Sequence, residues 1–207
     1  MPRGKLITIE GLDGAGKTTL ALALRAALGE RGIDASLLRE PGGVRAAERI
    51  RQLVKDPDLR IGARAEALLY AAARAQLVEE ALEPLLAGGK LVLLDRFVDS
   101  SLAYQGAGRA LGLEPVRAIN EFGTGNLTPD RTLLLTLDPA IGRARSRDRA
   151  APLDRLERER DEFFATIADA YAALAASDPE RIRTIDAAQD PKAVLADSLA
   201  AIEDLVS

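Results

Sequence analysis

Eight residues near the start of the chain have the types and spacing of a loop that binds phosphate. The segment GLDGAGKT, residues 11–18, fits the pattern GxxxxGK(S/T) between an apolar stretch and a segment of helical character. Its glycines let backbone N–H groups point toward an anion, and the following helix adds partial positive charge. The alternative is a glycine-rich turn without a ligand. The residues expected to bind a nucleoside triphosphate are Gly11, Leu12, Asp13, Gly14, Ala15, Gly16, Lys17, Thr18 and Thr19.

Three side chains of this loop suggest specific chemistry. Lys17 can reach the β and γ phosphates and stabilise charge during phosphoryl transfer, and the Thr18 hydroxyl can ligate Mg²⁺. Asp13 is unusual here, because a carboxylate repels phosphate unless it contacts a cation or a sugar hydroxyl. Either contact suits an enzyme that acts on nucleotides. The alternative is an Asp side chain that faces solvent.

Charged residues also end two later apolar runs. Glu40 and Pro41 stand at the end of the second run, and Asp95 and Arg96 stand at the end of the third. Asp95 can orient toward Mg²⁺ or its waters, while the planar Arg96 guanidinium can bridge a donor and an acceptor phosphate. The alternative for this second pair is a structural ion pair that closes the strand.

A further group of side chains could bind a base and its phosphate. Arg74 lies in an otherwise uncharged helical run, and Tyr70 precedes it by one turn, so that ring and guanidinium share a face. The alternative is that Arg74 extends to the surface and Tyr70 belongs to the core. Ser101, Tyr104 and Gln105 follow the third apolar run and supply hydrogen-bonding groups near the expected site.

Composition excludes several other kinds of chemistry. The chain has no Cys and no His, which removes thiol and imidazole catalysis and the usual zinc ligand sets. Its net charge of −4 argues against binding to a nucleic-acid backbone. No apolar run has the length of a membrane span, and the N-terminus lacks the apolar core of a signal peptide. We therefore expect a cytoplasmic protein with no nucleic-acid or membrane partner.

The elements that position these residues alternate between short apolar strands and longer Ala-rich helices. Strands are expected at 5–10, 35–40, 90–96, 131–138 and 181–187, and helices at about 16–29, 44–55, 63–87, 99–109, 114–123, 139–149, 154–177 and 191–206. This alternation predicts a three-layer α/β fold with right-handed crossovers and ligands at the carboxyl ends of the strands. The 207 residues show no linker or repeat, so residues 1–207 are expected to form a single domain.

Six motifs together resemble one family. They occur in the order found in bacterial thymidylate kinases: EGLDGAGKTT, REPGG, YAAARAQ, LLDRFVDSSLAYQG, LTPDRTLLL and LDRLE. The resemblance covers nearly the whole chain and implies a P-loop kinase fold with a five-stranded parallel sheet, a short mobile lid and a homodimer. It also implies transfer of the ATP γ-phosphoryl group to dTMP, giving dTDP and ADP, with Mg²⁺, in dTTP biosynthesis. Such transfer needs little acid–base chemistry, which fits a chain without His.

The resemblance also implies roles for individual residues. Arg74 matches the position that holds the dTMP phosphate, and Tyr70 matches the aromatic position that stacks on thymine, which is usually a Phe. Tyr104 matches the ring against the deoxyribose, where a 2′-hydroxyl would clash. Ser101 and Gln105 match positions that hydrogen-bond around the base. The full expected acceptor site is Asp13, near the sugar 3′-hydroxyl, with Glu40, Pro41, Tyr70, Arg74, Arg96, Ser101, Tyr104 and Gln105.

Seven arginines between residues 142 and 160 remain to be explained. Family members with an acidic residue in the phosphate loop carry arginines in the lid, which is expected at about 142–155. Arg145, Arg147 and Arg149 match lid positions, and the hypothesis is that closure brings one or two of them onto the ATP phosphates. The alternative is a solvated helix face. Arg143 lies outside the match and is expected to be plain surface.

Two rival functions and the adenine contacts complete the sequence-based expectations. A kinase for a different nucleoside monophosphate is the nearest rival, and it would lack the paired YAAARAQ and SSLAYQG motifs. A regulatory GTPase or partition-type ATPase is the rival from another class. Guanine-switch behaviour is poorly supported, because no DxxG follows the second or third strand and no NKxD precedes a late helix. The loop from Asp186 to Gln189 is the expected place for contacts to adenine.

Overall fold

A parallel sheet forms the centre of the protein. In the computed structural model, which describes residues 3–147 and 154–206, with the backbone alone for Arg147, five strands pair in one sheet. They are β1 (Leu6–Gly11), β2 (Ala35–Arg39), β3 (Leu91–Asp95), β4 (Arg131–Thr136) and β5 (Ile182–Asp186). The order β2-β3-β1-β4-β5 makes β1 central, with Ile7 in register with Leu93 of β3 and Arg131 of β4. The predicted five-stranded parallel sheet is confirmed.

Helices cover both faces of the sheet. They are α1 (Lys17–Glu30), α2 (Arg45–Lys55), α3 (Ala63–Leu77), α4 (Glu83–Ala87), α5 (Val98–Ser101), α6 (Leu113–Thr124), α7 (Pro139–Arg147), α8 (Asp161–Ser177), α9 (Pro191–Ala200) and α10 (Glu203–Val206). Two π-helical segments continue α3 and α5, over Val78–Leu82 and Leu102–Gly108. Within 3–147 and 154–206, no helix is both long and apolar enough to cross a bilayer.

The central strands β1, β3 and β4 are largely apolar because both of their faces are buried. Ile7 and Ile9 point to one side and pack with apolar residues of α1 and α9. On the opposite side, Leu6 packs with Leu77 of α3, and Leu134 packs with apolar residues of α8. Each such fully buried side chain stabilises the fold by roughly 1.5–3 kcal/mol. The helices are thereby fixed around the edge where the strands end.

The structure corrects the expected helix over 154–177. Residues 154–160 are not helical, and α8 begins only at Asp161. The Asp154 carboxylate accepts the backbone N–H groups of Leu156 and Glu157, each at 3.0 Å, and so stabilises a turn in place of the first helical turn. The expected helix over 191–206 is likewise interrupted, between α9 and α10.

The carboxyl ends of β1, β2 and β3 bring the predicted site residues to one edge. Asp95 at the end of β3 lies in register with Ile9 of β1 and Arg39 of β2. The Arg96 backbone N–H donates to the Ile9 carbonyl at 3.0 Å, and the Glu40 N–H donates to the Asp95 carbonyl at 2.8 Å. The phosphate loop, Glu40 and Arg96 therefore leave the sheet side by side.

Candidate active site

A cleft of about 950 Å³ opens at this edge of the sheet. Most of the residues predicted from the sequence line it: Asp13, Gly14, Ala15, Gly16, Lys17, Thr18, Thr19, Glu40, Pro41, Tyr70, Arg74, Asp95, Arg96, Ser101, Tyr104, Gln105 and Arg145. Gly11 and Leu12 are buried at the base of the loop and are not part of the lining. The Arg147 side chain and all of Arg149 lie outside the described residues.

The phosphate loop depends on glycine where it approaches α7. Gly14 and Gly16 adopt positive φ angles of 81° and 93°, which side chains other than glycine rarely adopt. A Cβ atom at Gly14 would also clash with the carbonyl oxygen of Gly142 in α7. At Gly14 the loop therefore lies close against the backbone of Gly142, where the arginine-rich segment begins.

Lys17 is held with its ammonium group inside the loop. Its Nζ atom donates to the Leu12 carbonyl at 2.8 Å and lies 3.9 Å from Asp13 Oδ1. Burial, together with the nearby Arg96, lowers the pKa of Lys17 to about 8, although the carboxylates of Asp13 and Asp95 act in the opposite direction. The Lys17 ammonium group is therefore mostly charged at neutral pH and can bind a phosphate.

Thr18 and Asp95 lie together, as the sequence predicts for a magnesium site. The Thr18 hydroxyl donates to Asp95 Oδ2 at 3.0 Å. The oxygens of both side chains are hard ligands of the kind that Mg²⁺ prefers. Among the described residues, no three acidic, His or Cys side chains form a cluster that could hold a metal. The pair therefore fits an ion whose other ligands come from nucleotide phosphates and water.

Arg96 pairs with the phosphate loop and not with its neighbour Asp95. Its Nη2 atom donates to Asp13 Oδ1 at 2.8 Å and to the Tyr104 hydroxyl at 3.2 Å, and its guanidinium carbon lies 5.0 Å from the Tyr104 ring centroid. Its φ angle of 72° is unusual for a residue with a side chain and turns the chain sharply after β3. The structural ion pair considered for Asp95 and Arg96 is therefore wrong.

Asp13 also differs from the solvent-facing alternative. Tyr104 donates to its Oδ2 atom at 3.2 Å, while Arg96 pairs with Oδ1. Burial opposes ionisation of the carboxyl, but Arg96 and then Lys17 hold the pKa of Asp13 well below its usual range. The carboxylate stays ionised and fixes two cations and a tyrosine at the wall of the cleft.

Glu10 holds the segment that follows Arg96, and this residue was not identified from the sequence. This buried residue of β1 accepts the backbone N–H of Phe97 at 2.7 Å and that of Ser100 at 3.2 Å on Oε1. Its Oε2 atom accepts the Tyr171 hydroxyl at 2.8 Å. Burial, and then the charge of Asp99, raise the pKa of Glu10. An acidic residue within a predicted buried strand is the sequence signal that marks Glu10, although it does not reveal the partners of the carboxylate.

Arg74 is buried in the cleft wall and does not extend to the surface. Only 2% of the residue is exposed, and Nε pairs with Glu40 Oε2 at 2.7 Å. Nη1 donates to Ser101 Oγ at 2.9 Å and to Asn120 Oδ1, and Nη2 donates to the Phe97 carbonyl at 2.9 Å. The surface alternative for Arg74 is therefore wrong, and the guanidinium is fixed in one orientation.

The Glu40 carboxyl is buried beside this guanidinium. Burial raises the pKa of Glu40 to about 7, and the charge of Arg74 opposes the shift only in part. Its Oε1 atom is buried and has no hydrogen-bond partner. Next to it, Arg51 of α2 donates to the Pro41 carbonyl at 2.8 Å. Arg51 and Lys55 also line the cleft, but their places in a charged helix do not distinguish them in the sequence.

Two polar residues expected around the base have protein partners. Ser101 accepts from Arg74, and Gln105 Nε2 donates to Glu66 Oε1 at 2.9 Å. Both line the cleft together with the half-buried Tyr70. Glu66 is completely buried and was not identified from the sequence, because one acidic residue in a helix does not reveal its partner.

Arg143 is not plain surface, which corrects the expectation for this residue. Its Nη1 atom donates to the Glu159 carbonyl at 2.7 Å, and its Nε atom lies 2.9 Å from Asp161 Oδ1. The guanidinium carbon also lies 4.7 Å from the Phe164 ring centroid. Arg143 therefore links α7 to the start of α8, which explains an arginine outside the lid match.

Arg145 faces the cleft from α7. Its Nη1 atom contacts the Ala187 carbonyl at the long distance of 3.4 Å. Ala187 and Gln189, from the loop expected near adenine, line the same part of the cleft. Arg145 and this loop thus lie next to each other in the cleft lining.

Comparisons with known proteins agree with this geometry. A model of the thymidylate kinase family matches residues 9–197. The thymidylate kinase of Halorhodospira halophila is 47% identical over 206 residues, which cover 99% of this chain and 96% of that protein. The thymidylate kinase of Lactobacillus delbrueckii subsp. bulgaricus is 46% identical, with 95% and 94% covered.

A solved structure shows the same architecture. The crystal structure of thymidylate kinase from Ehrlichia chaffeensis has a TM-score of 0.80 and 26% identity, and the match covers 98% of this chain and 100% of that one. The family model spans most of the chain, and both relatives match it over nearly their full lengths. The chain therefore belongs to the thymidylate kinase family of ATP-dependent nucleotide kinases.

Proposed function

We propose that the cleft is the place where the γ-phosphoryl group of ATP passes to dTMP, giving ADP and dTDP. One observation carries this proposal: Lys17 of the phosphate loop, Arg74 of α3 and Arg96 line the same cleft. Arg74 donates to the carbonyl of Phe97, the residue that follows Arg96. Two phosphate groups repel each other, so a site that brings them together needs cations on both sides.

On the donor side, the phosphate loop holds the ATP phosphates through its N–H groups and Lys17. Ala187 and Gln189 line the adjoining part of the cleft, and we assign the adenine contacts to this loop. On the acceptor side, Arg74 holds the dTMP phosphate and Tyr70 stacks on thymine. Tyr104 packs against the deoxyribose, and the hydrogen bond from its hydroxyl to Asp13 keeps the Tyr104 ring in place.

In the transfer step, an oxygen of the dTMP phosphate forms a bond to the γ phosphorus of ATP. The bond between that phosphorus and the β,γ-bridging oxygen breaks, and its electron pair stays on ADP. A phosphate dianion needs no general base for this attack. Lys17 and Arg96 stabilise the charge that shifts onto the transferring and leaving oxygens.

Mg²⁺ is the metal that we propose for this site. Thr18 and Asp95 would hold it, directly or through water, and their 3.0 Å contact supports the pairing of a hydroxyl and a carboxylate. When bound, Mg²⁺ neutralises charge on the β and γ phosphates.

The segment of about 142–155 is proposed to act as a lid within a single domain of residues 1–207. Arg145 already lines the cleft, which supports its assignment to the ATP phosphates on closure. Arg147 and Arg149 are proposed for the same role from the family match. A lid arginine of this kind acts as an arginine finger supplied by the same chain.

We further propose that the protein is a cytoplasmic homodimer. Helix α3 packs between α2 and α6. Each of these helices exposes a large apolar side chain: Leu53 is 43% exposed, Leu68 is 57% exposed and Phe122 is 92% exposed. Exposed apolar residues on adjacent helices are typical of protein interfaces, and a second copy of the chain would bury them.

A panel of acceptors tests the proposed reaction. ATP and Mg²⁺ are supplied with dTMP, dUMP, dCMP, dAMP, dGMP or ribothymidine 5′-monophosphate, and ADP release is followed in a coupled assay. We expect the highest kcat/KM with dTMP and a much lower value with the ribonucleotide, because of Tyr104. Equal or better use of another nucleobase would support the rival monophosphate kinase. ADP release that is independent of any acceptor would support a plain ATPase.

A further inference from the structure

A buried carboxylate lies behind the part of the cleft that we assign to the base. Glu66 is in the first turn of α3 and is 0% exposed. Gln105 Nε2 donates to its Oε1 atom at 2.9 Å, Arg109 Nε lies 3.2 Å from each carboxylate oxygen, and Arg155 Nη2 lies 2.7 Å from Oε2. Burial of an unpaired carboxylate is strongly unfavourable, and these two guanidinium groups compensate it. The site is therefore built to hold a charged carboxylate.

This carboxylate determines which way the Gln105 amide points. A side-chain amide can rotate to exchange its NH₂ group and its oxygen, and the two orientations have nearly the same shape. A carboxylate only accepts hydrogen bonds, so the Gln105 NH₂ group must face Glu66. The Gln105 oxygen is then directed away from Glu66. Gln105 lines the cleft, so an amide oxygen that points away from Glu66 can accept a hydrogen bond from a base bound there.

We propose that Glu66 is a positioning residue for the choice of base. By holding the Gln105 amide in one orientation, it makes the site favour a base that presents an N–H donor and disfavour one that presents a lone pair. Thymine carries a hydrogen on N3, whereas the N3 atom of cytosine carries a lone pair. This inference rests on the proposed function, in which the dTMP base lies beside Tyr70 and Gln105.

Glu66 also helps to hold the C-terminal end of the proposed lid. Arg155 Nε donates to the Val54 carbonyl at 3.0 Å, and Lys55 pairs with Asp154 at 2.6 Å. A substitution at Glu66 can therefore also affect catalysis through Arg155. The ratio of kcat/KM for two acceptors, measured on the same variant, separates an effect on base choice from this general effect on catalysis.

The test compares dTMP with 5-methyl-dCMP, which keeps the methyl group and the deoxyribose but reverses the hydrogen-bond polarity at N3 and at the neighbouring group on C4. For Glu66→Gln, we expect the ratio of kcat/KM for dTMP over 5-methyl-dCMP to fall about tenfold or more, because the amide can now rotate. The KM for ATP should stay within about twofold of the parent value. Glu66→Asp, which keeps a carboxylate, should retain more of the ratio than Glu66→Gln.

Glu159→Gln is the matched control. It removes the same charge from the other partner of Arg109, whose Nη1 atom lies 2.6 Å from Glu159 Oε1, but it leaves Gln105 on Glu66. We expect the parent ratio in this variant. If Glu66→Gln does not fold, Glu66→Gln with Arg109→Gln removes opposite charges together, and its ratio is compared with that of Arg109→Gln alone.

The single variant Glu66→Gln is compared with the parent, and the double variant with Arg109→Gln. The inference is overturned if the ratio of kcat/KM for dTMP over 5-methyl-dCMP changes by less than about twofold in each folded comparison while Gln105→Leu lowers it. Gln105 would then select the base without help from Glu66. A parent enzyme with no preference for dTMP over 5-methyl-dCMP would instead contradict the proposed acceptor and, with it, the inference.

Discussion

Lys17 is the residue whose removal should affect turnover most directly. For Lys17→Ala, we expect turnover to fall a hundredfold or more, because the lost charge is worth several kcal/mol of transition-state stabilisation. Steady-state kinetics at saturating ATP and dTMP measure the loss, and circular dichroism checks the fold. Lys90→Ala, which removes an exposed lysine paired with Asp34, should leave turnover unchanged. Near-normal turnover in folded Lys17→Ala would refute the assignment of the phosphate loop.

Glu40 should give the stability of the protein a distinct pH dependence. Its pKa is raised from 4.5 to about 7 by burial, so the folded protein keeps a proton that the unfolded chain releases. Its contribution to the free energy of unfolding is fully present below pH 4.5 and is lost as the pH rises through 7. The difference in this free energy between the parent and Glu40→Gln should therefore change by about 1.4 kcal/mol per pH unit in that window.

Urea denaturation at about pH 5, 6 and 7 measures this difference. Parallel pH profiles for the parent and Glu40→Gln would show that the Glu40 carboxyl has the same proton affinity in the folded and unfolded states. The environment inferred from its burial beside Arg74 would then be wrong.

At the residue scale, contacts can be predicted from the sequence where a motif has a known backbone geometry. The spacing of GLDGAGKT and the position of Asp95 at the end of a strand place Thr18 and Asp95 at one edge, and their side chains meet there. Glu10 and Glu66 could not be assigned in this way. Their partners come from elements distant in the chain, and a lone acidic residue contains no information about them.

At the scale of elements, buried strands were the most predictable parts. Each expected strand overlaps an observed one to within two residues at its ends. Buried parallel strands are rich in apolar residues, and such short apolar runs are easy to recognise in the sequence. The segment 154–160 was expected to be helical, and this prediction is wrong. Tertiary contacts decide its shape, since Arg155 donates to the Val54 carbonyl and Asp154 pairs with Lys55.

The lid is the element whose predicted role is easiest to test. Single-turnover phosphoryl transfer is measured for Arg145→Ala, Arg147→Ala and Arg149→Ala separately. We expect one or two of them to lose about 10³ or more in rate, because the contact with the ATP phosphates forms fully only in the closed state. The effect should fall on kcat more than on dTMP affinity.

Arg160→Ala is the control for the lid variants, because Arg160 belongs to the same arginine-rich stretch but is exposed and does not line the cleft. Its rate should equal that of the parent. If all three lid variants stay within about tenfold of the parent, the arginines form a solvated helix face and the lid hypothesis is wrong.

At the scale of the whole molecule, the apolar side chains of α2, α3 and α6 predict self-association. Phe122→Asp should shift the protein from dimer to monomer in sedimentation velocity, since a charge in a buried apolar interface is unfavourable. Leu22→Asp on α1 is the matched control, because Leu22 is 49% exposed and α1 packs on the opposite side of the sheet. A parent protein that is monomeric at all concentrations would refute the dimer.

The central claim is that one cleft holds the donor and acceptor phosphates together. Binding of adenosine and thymidine joined by five phosphates tests it in one calorimetric measurement, since one such molecule can occupy both halves. We predict one molecule per chain, affinity above that of ATP or dTMP alone, and a loss of about tenfold or more in both Lys17→Ala and Arg74→Ala. Affinity no greater than that of ATP, or no change in folded Arg74→Ala, would contradict the claim.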